Sequence, residues 1–279
     1  MQVHAHPDDE ASKGAPSAAR YVAEGARAVL VTCTAGEAGE ILNPGYDGPT
    51  DDMKAVRLAE LDSSAKAIGY DAVHLLGYRD SGMPDTEFNR HPDAFANAPF
   101  DEAVERLVAV IREERPQVII TYGDEQSYYP HPDHVRVHDI SVVAFDAAGD
   151  AARFPDAGEP WQPPKLYYSG WTLRYVKAMH EALVSLGKES WYEDRIADLD
   201  PAMDARVMTR IDVGDYLEVR DRALLAHRTQ IDPDSFWFAV PLEMRREIWP
   251  WEEYVLARTL VDNGVPPGEF ETDLFAGLR

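Results

Sequence analysis

Basic residues are scarce in this chain of 279 residues: 27 Lys and Arg stand against 50 Asp and Glu, a formal charge of −23. Nucleic acids and anionic membrane surfaces are held by concentrated positive charge, so neither is an expected partner. No run of about 18 apolar residues occurs, which excludes an expected helical membrane span. The polar segment that starts at His6 follows Met1 so closely that no room is left for a signal peptide. The first strand would then be very short, and a native start upstream of Met1 stays open. Cysteine is limited to Cys33, inside the apolar run of residues 28–33. That excludes an intrachain disulfide and a dithiol redox pair, and reads as a buried strand thiol in a reducing, cytoplasmic location. Repeats and low-complexity tracts are missing too. Apolar residues are not: 45 % of the chain is hydrophobic and 10 % aromatic, enough for a sizeable core.

Two short segments concentrate chemistry, His6-Pro7-Asp8-Asp9-Glu10 and His131-Pro132-Asp133-His134. A set of two imidazoles and one carboxylate suits a divalent cation such as zinc, or ferrous iron, and leaves positions open for water and substrate. His6, Asp9 and His134 are read as that set. Asp8, next to a ligand, is the natural general base for metal-assisted hydrolysis. His131 lies one helical turn before His134 and, as an imidazolium, would stabilise a tetrahedral oxyanion. Asp133 would hydrogen-bond His131 and hold it cationic. Taken singly, Asp9 and Asp133 could each be helix N-caps. Both segments together, each after an apolar run, point to a metal hydrolase.

Strand and helix patterns alternate through the first half. Residues 2–5, 28–34, 72–76 and 117–122 read as strands, and residues 12–25, 51–69, 100–114 and 133–147 as helices. Repeated βαβ units imply a mostly parallel, Rossmann-like α/β sheet with helices on both faces. Ligands bind beyond the carboxyl ends of such strands, so the segments at His6, Gly36, Tyr78 and His131 should gather at one edge. Prolines 155, 160, 163 and 164 mark a change of pattern. Residues 1–150 are expected to form the metal-binding core. Residues 151–279 would form a smaller α+β lobe of the same unit over the active-site edge. There, residues 165–169 and 207–213 read as strands and 173–186 and 214–227 as helices; nothing is assigned beyond.

The run Ala5-His6-Pro7-Asp8-Asp9-Glu10 with His131-Pro132-Asp133-His134 resembles the zinc-dependent LmbE-like, or GlcNAc-PI de-N-acetylase, superfamily. The resemblance covers almost the whole chain and is closest to the mycothiol S-conjugate amidase branch. Ser12-Lys13-Gly14, Arg79-Asp80-Ser81-Gly82-Met83, Tyr129-Pro130-His131 and Ala226-His227-Arg228-Thr229-Gln230 carry it further. It implies zinc on His6, Asp9 and His134, Asp8 as general acid and base, and His131 as the electrophilic stabiliser. It also implies that Tyr129 helps polarise the reacting amide, and that Arg57 and Asp80 hold hydroxyls of a glucosamine–inositol substrate. Lys13 is similar to the amidase branch, where the related deacetylases carry a smaller polar residue; it would meet a carbonyl or carboxylate of a larger acyl group. His227 could line the pocket or be a buried structural histidine. Ser127-Tyr128 replaces an expected Gly-Gly, and residues 85–100 differ from the usual acyl-side loop.

These readings imply a cytoplasmic zinc amidohydrolase cleaving mycothiol S-conjugates to glucosaminyl-inositol and a mercapturate, in detoxification or natural-product biosynthesis. One rival is a de-N-acetylase of N-acetylglucosaminyl-inositol using the same residues. A rival of another class is a metal-bearing sugar- or thiol-binding protein without turnover, which would have no need of Asp8 beside a ligand. The partner is a small thiol conjugate or aminosugar-inositol, with a homo-oligomer possible.

Overall fold

The computed structural model describes residues 1–126 and 129–279. Its strands are β1 (Gln2–His4), β2 (Val29–Thr34), β3 (Ala72–Tyr78), β4 (Val118–Tyr122), β5 (Lys165–Ser169), β6 (Thr209–Asp212) and β7 (Trp251–Thr259). They form one seven-stranded sheet in the order β3-β2-β1-β4-β5-β7-β6. The first five pair in parallel, and β7 is antiparallel to both β5 and β6. The expected mostly parallel α/β sheet is therefore observed, and the strands after residue 150 extend it.

The first-half helices are α1 (Asp9–Ser12), α2 (Ala15–Ala23), α3 (Met53–Ile68), α4 (Glu87–Arg90), α5 (Phe100–Glu114) and α6 (Pro132–Ala147). Those that follow are α7 (Leu173–Ser185), α8 (Tyr192–Asp198), α9 (Ala202–Arg206), α10 (Leu217–Ala226) and α11 (Leu242–Ile248). The helix read over residues 12–25 is interrupted at Gly14, whose φ of +91° no right-handed helix accommodates. Alternate strand residues divide between the two faces. Ile119, Leu166 and Tyr168 pack with Leu107 and Ile111 of α5 and Ile140 and Phe145 of α6. Val118, Ile120 and Tyr167 pack instead with Tyr21, Ile211 and Tyr254. A separate cluster joins Val176, Met179 and Leu183 of α7 to Tyr192, Leu199 and the rings of Trp171, Tyr175, Trp191 and Trp249.

β1 sits between β2 and β4, where the strand order reverses direction. A crevice opens at such a point beyond the strand ends. The segment after β1 carries His6 to Glu10, and the one after β4 leads to His131 and His134. Cys33 is fully buried in β2, as expected of a strand thiol. Among the described residues no helix is long and apolar enough to cross a membrane.

Candidate metal centre

After β1 the chain makes a tight turn in which Asp8 adopts φ 103°, ψ −25°, a left-handed conformation rare outside glycine. Such strain costs on the order of 1–3 kcal/mol and persists only where surroundings over-determine it. Helix α1, four residues long, is too short to hold the turn by itself. Tertiary hydrogen bonds do so. The buried Arg57 donates from Nη2 to Pro7 O (2.5 Å) and Asp8 Oδ2 (2.8 Å), and from Nη1 to Gly36 O (2.5 Å). From the other side Asp8 N donates to Glu10 Oε2 (2.9 Å), while Glu10 Oε1 lies 2.6 Å from His227 Nε2 and accepts from Ser64 Oγ. Glu10 and His227 are fully buried.

The turn brings three donors together. Asp9 Oδ2 lies 3.4 Å from His6 Nδ1 and 3.4 Å from His134 Nε2. A tetrahedral ion with ligands at about 2.1 Å separates its ligand atoms by about 3.4 Å, so Asp9 Oδ2 stands at ligand spacing from each of the two imidazoles. The other faces of these side chains are already supported. His6 Nε2 faces Asp133 Oδ2 at 3.1 Å and Asp80 Oδ1 at 3.5 Å, the carboxylate–histidine arrangement that orients metal-binding imidazoles. Asp9 Oδ1 accepts from Lys13 Nζ at 2.7 Å, and the Tyr122 ring stacks on His134 at 4.5 Å. Among the described residues two compact donor groups with ligand atoms within 4.8 Å share His6: one adds His131 and His134, the other Asp80 and Asp133, and Asp9 belongs to neither.

The charges follow from this crowding. Burial disfavours an Asp9 carboxylate, but Lys13 and His134 outweigh it and hold Asp9 well below the usual carboxylate range. Burial likewise opposes a charge on His6, yet its bonds to Asp133, Asp80 and Asp9 raise it well above an ordinary histidine. The Asp8 carboxyl, half-buried, is raised by desolvation; Arg57 opposes the shift and Asp9 reinforces it. A raised carboxyl is a stronger base at neutral pH.

Asp133 differs from expectation. Its carboxylate turns to His6 and to Ser81, accepting from Ser81 N at 3.0 Å and from Ser81 Oγ. What reaches His131 is the Asp133 backbone N–H, which donates to Nδ1 at 3.2 Å and makes the His131 ring the N-cap of α6. A ring accepting at Nδ1 keeps its proton on Nε2. Burial, with the adjacent His6 and His134, lowers its pKa to about 4. The expected imidazolium held by Asp133 is thus corrected to a neutral imidazole with an Nε2–H donor. Neither Asp9 nor Asp133 is an N-cap; Asp8 and His131 occupy those positions.

Arg57 and Asp80, for which the resemblance implies substrate contacts, are both held within the site by hydrogen bonds. Each is 3 % exposed. Asp80 accepts from Gly82 N (2.8 Å) and Ala38 N (3.0 Å) besides facing His6, while Arg57 clamps the Asp8 turn. Tyr129 is placed at the site: its half-exposed ring lies 6.1 Å from that of His131 and 5.5 Å from that of His134. Ser127 and Tyr128 lie outside the described residues. The sequence reading missed Tyr122, Ser64 and the pairing of Glu10 with His227. Glu10, in the first motif, and His227, which proves to be the buried structural histidine, carried signals, whereas Tyr122 and Ser64 are brought in by β4 and α3.

Known proteins match this chain closely. The family model described as PIG-L, GlcNAc-PI de-N-acetylase, matches residues 1–145. A curated relative from Streptomyces coelicolor named mycothiol S-conjugate amidase is 44 % identical over 100 % of this chain and 97 % of its own length. A relative from Geodermatophilus obscurus named 1D-myo-inositol 2-acetamido-2-deoxy-alpha-D-glucopyranoside deacetylase is 42 % identical over the same shares. The solved structure of N,N'-diacetylchitobiose deacetylase from Pyrococcus horikoshii superposes with a TM-score of 0.62 at 16 % identity, covering 92 % of this chain and 82 % of that one, and shares the fold.

Proposed function

The chain belongs to the PIG-L family of GlcNAc-PI de-N-acetylases, and from that premise we propose a metal-dependent hydrolase of mycothiol S-conjugates, releasing glucosaminyl-inositol and a mercapturate. The observation that carries this reading is Asp9 Oδ2 set 3.4 Å from both His6 Nδ1 and His134 Nε2, with the clamped Asp8 carboxylate on the same turn. His6, Asp9 and His134 would hold the ion; two imidazoles and a carboxylate suit zinc, and ferrous iron equally. A bound divalent cation supplies Lewis acidity and lowers the pKa of water.

The remaining steps belong to the side chains. Asp8 takes a proton from the attacking water and returns it to the departing glucosamine nitrogen. His131 offers Nε2–H to the oxyanion that forms as the carbonyl is attacked; one such donor contributes about 2.7–4 kcal/mol elsewhere. Tyr129, beside His131, borders the reacting amide. Asp133 and Asp80 orient His6, and Arg57 orients Asp8. All of these lie within residues 1–150, with residues 151–279 covering the edge and supplying His227 behind Glu10. The substrate is a small molecule, and the place of action is the cytoplasm.

The deacetylase reading uses the same machinery and is the reading carried by the Geodermatophilus relative. Lys13 favours the amidase: its ammonium, 2.7 Å from Asp9 Oδ1, can meet a polar group on an acyl portion larger than acetyl. The test is a mass-spectrometric time course of zinc-loaded protein with a mycothiol S-conjugate and N-acetylglucosaminyl-inositol side by side. Faster release of a mercapturate supports the amidase, and faster release of acetate moves the chain to deacetylation. In the same assay Asp8→Asn is expected to lose at least about a hundredfold in rate, the lower range for general acid–base catalysis, with its metal retained. Full activity in that variant would end the mechanism.

A further inference from the structure

One peptide unit of the catalytic turn, Pro7–Asp8, is gripped at both of its poles. Its carbonyl accepts from Arg57 Nη2 at 2.5 Å, and its N–H donates to Glu10 Oε2 at 2.9 Å. Turning this peptide over would carry the Asp8 φ of 103° to a negative value and relieve the strain. The grip on the N–H depends on how Glu10 is held, because a Glu side chain reaches back two residues in only some of its rotamers. Its other oxygen is what fixes it. Glu10 Oε1 accepts from Ser64 Oγ of α3 and lies 2.6 Å from His227 Nε2; an ionised carboxylate only accepts, so Nε2 carries the proton. Glu10, Ser64 and His227 are all fully buried.

His227 itself stands on a fixed base. It follows the last turn of α10, and its carbonyl accepts from Gln230 N (3.0 Å) and Ile231 N (2.9 Å). Two residues on, Thr229 donates to Glu60 of α3 from N (2.8 Å) and Oγ1 (2.7 Å). His227 Nδ1 has no hydrogen-bond partner among the described residues, so the single donor at Nε2 is what the turn uses. We propose that His227 is a positioning residue for the base: through Glu10 it holds the Pro7–Asp8 peptide, and with it the direction of the Asp8 carboxylate. The proposal rests on the role of Asp8 in the proposed hydrolysis and deepens it, since it makes the second half of the chain a support of the catalytic turn.

The test uses the full zinc-loaded chain, with the mycothiol S-conjugate and N-acetylglucosaminyl-inositol as substrates and amide hydrogen exchange by NMR as a second readout. His227→Leu is expected to lower kcat about a hundredfold, as a displacement of about 1 Å does elsewhere, with KM and bound zinc little changed. His227→Gln, whose side-chain amide offers a donor at comparable reach, should recover most of the loss. In His227→Leu the Asp8 N–H should exchange at least about tenfold faster, while the amides of β4 keep their protection. A histidine that only fills the core would lower stability and leave the Asp8 amide and kcat per bound zinc unchanged; that result would overturn the proposal. So would a His227→Gln variant as slow as His227→Leu. Losses that add when His227→Leu is combined with Glu10→Ala would overturn it too, since a residue acting through Glu10 has nothing left to act on there. If the unaltered chain hydrolyses neither substrate, the hydrolase reading fails, and the Asp8 amide still decides the positioning.

Discussion

Arg57 joins three backbone or side-chain oxygens of two separate loops, and one of them belongs to the proposed base. The strained Asp8 turn has few other anchors, so the guanidinium acts on catalysis through geometry. Arg57→Ala is expected to lower kcat by about a hundredfold, as misplacement by about 1 Å does in other enzymes, with KM and metal content little changed. Arg57→Lys should recover only part, because one ammonium cannot span Pro7 O, Gly36 O and Asp8 Oδ2. Steady-state kinetics with metal analysis decide it: a raised KM at unchanged kcat would return Arg57 to a substrate contact. Gly36 makes room for this clamp, since a Cβ there would fall 2.3 Å from Arg57 Nη1. None of this was legible in the sequence, where Arg57 reads as one polar residue on an amphipathic helix. The grouping of His6, Asp9 and His134 was legible because both motifs follow strands that the parallel topology sets side by side. The partners of Asp133 were not, because spacing along a helix says nothing about Ser81 on a neighbouring loop.

Among the elements, β5 holds the least obvious arrangement. Lys165 and Glu271 are 0 % and 1 % exposed and paired at 2.6 Å, and Glu271 also accepts from Tyr167 Oη (2.6 Å) and Thr209 Oγ1 (2.7 Å). One carboxylate near the end of the chain thus ties β5 to the edge strand β6. Removing one partner of a buried pair strands the other, so Lys165→Met is expected to cost about 3–5 kcal/mol. Urea unfolding at constant m would measure it, and a loss under 1 kcal/mol would mean that Tyr167 and Thr209 suffice for Glu271. β7 escaped the sequence reading because Trp251-Glu252-Glu253-Tyr254 lacks strict alternation; Glu253 is buried there against Arg174 and Arg210. The first-half strands were legible from their Val- and Ile-rich runs. The break at Gly14 was not, as a lone glycine inside a helical pattern is usually tolerated.

For the molecule as a whole, an ion bridging β1 and α6 would bind the folded state alone and stabilise it by mass action. At a thousandfold excess over Kd the gain is about 4 kcal/mol. Chelation should therefore lower Tm without abolishing the fold, since the Lys13–Asp9 and His6–Asp133 contacts also tie these side chains to their surroundings. Differential scanning calorimetry with and without chelator, then with zinc restored, checks this. An unchanged Tm in protein shown to be metal-free would argue against the site. The position of β1 has a further consequence. It pairs with β2 about thirty positions away but with β4 nearly 120 positions away, as Gln2 faces both Leu30 and Ile120. Closing the long loop is the slow event in forming such a sheet. A partly folded chain with β1, β2 and β3 assembled would present His6 and Asp9 without His134. Tight metal uptake would then be the last property acquired on refolding, and the rate of zinc capture would time the docking of β4 against β1.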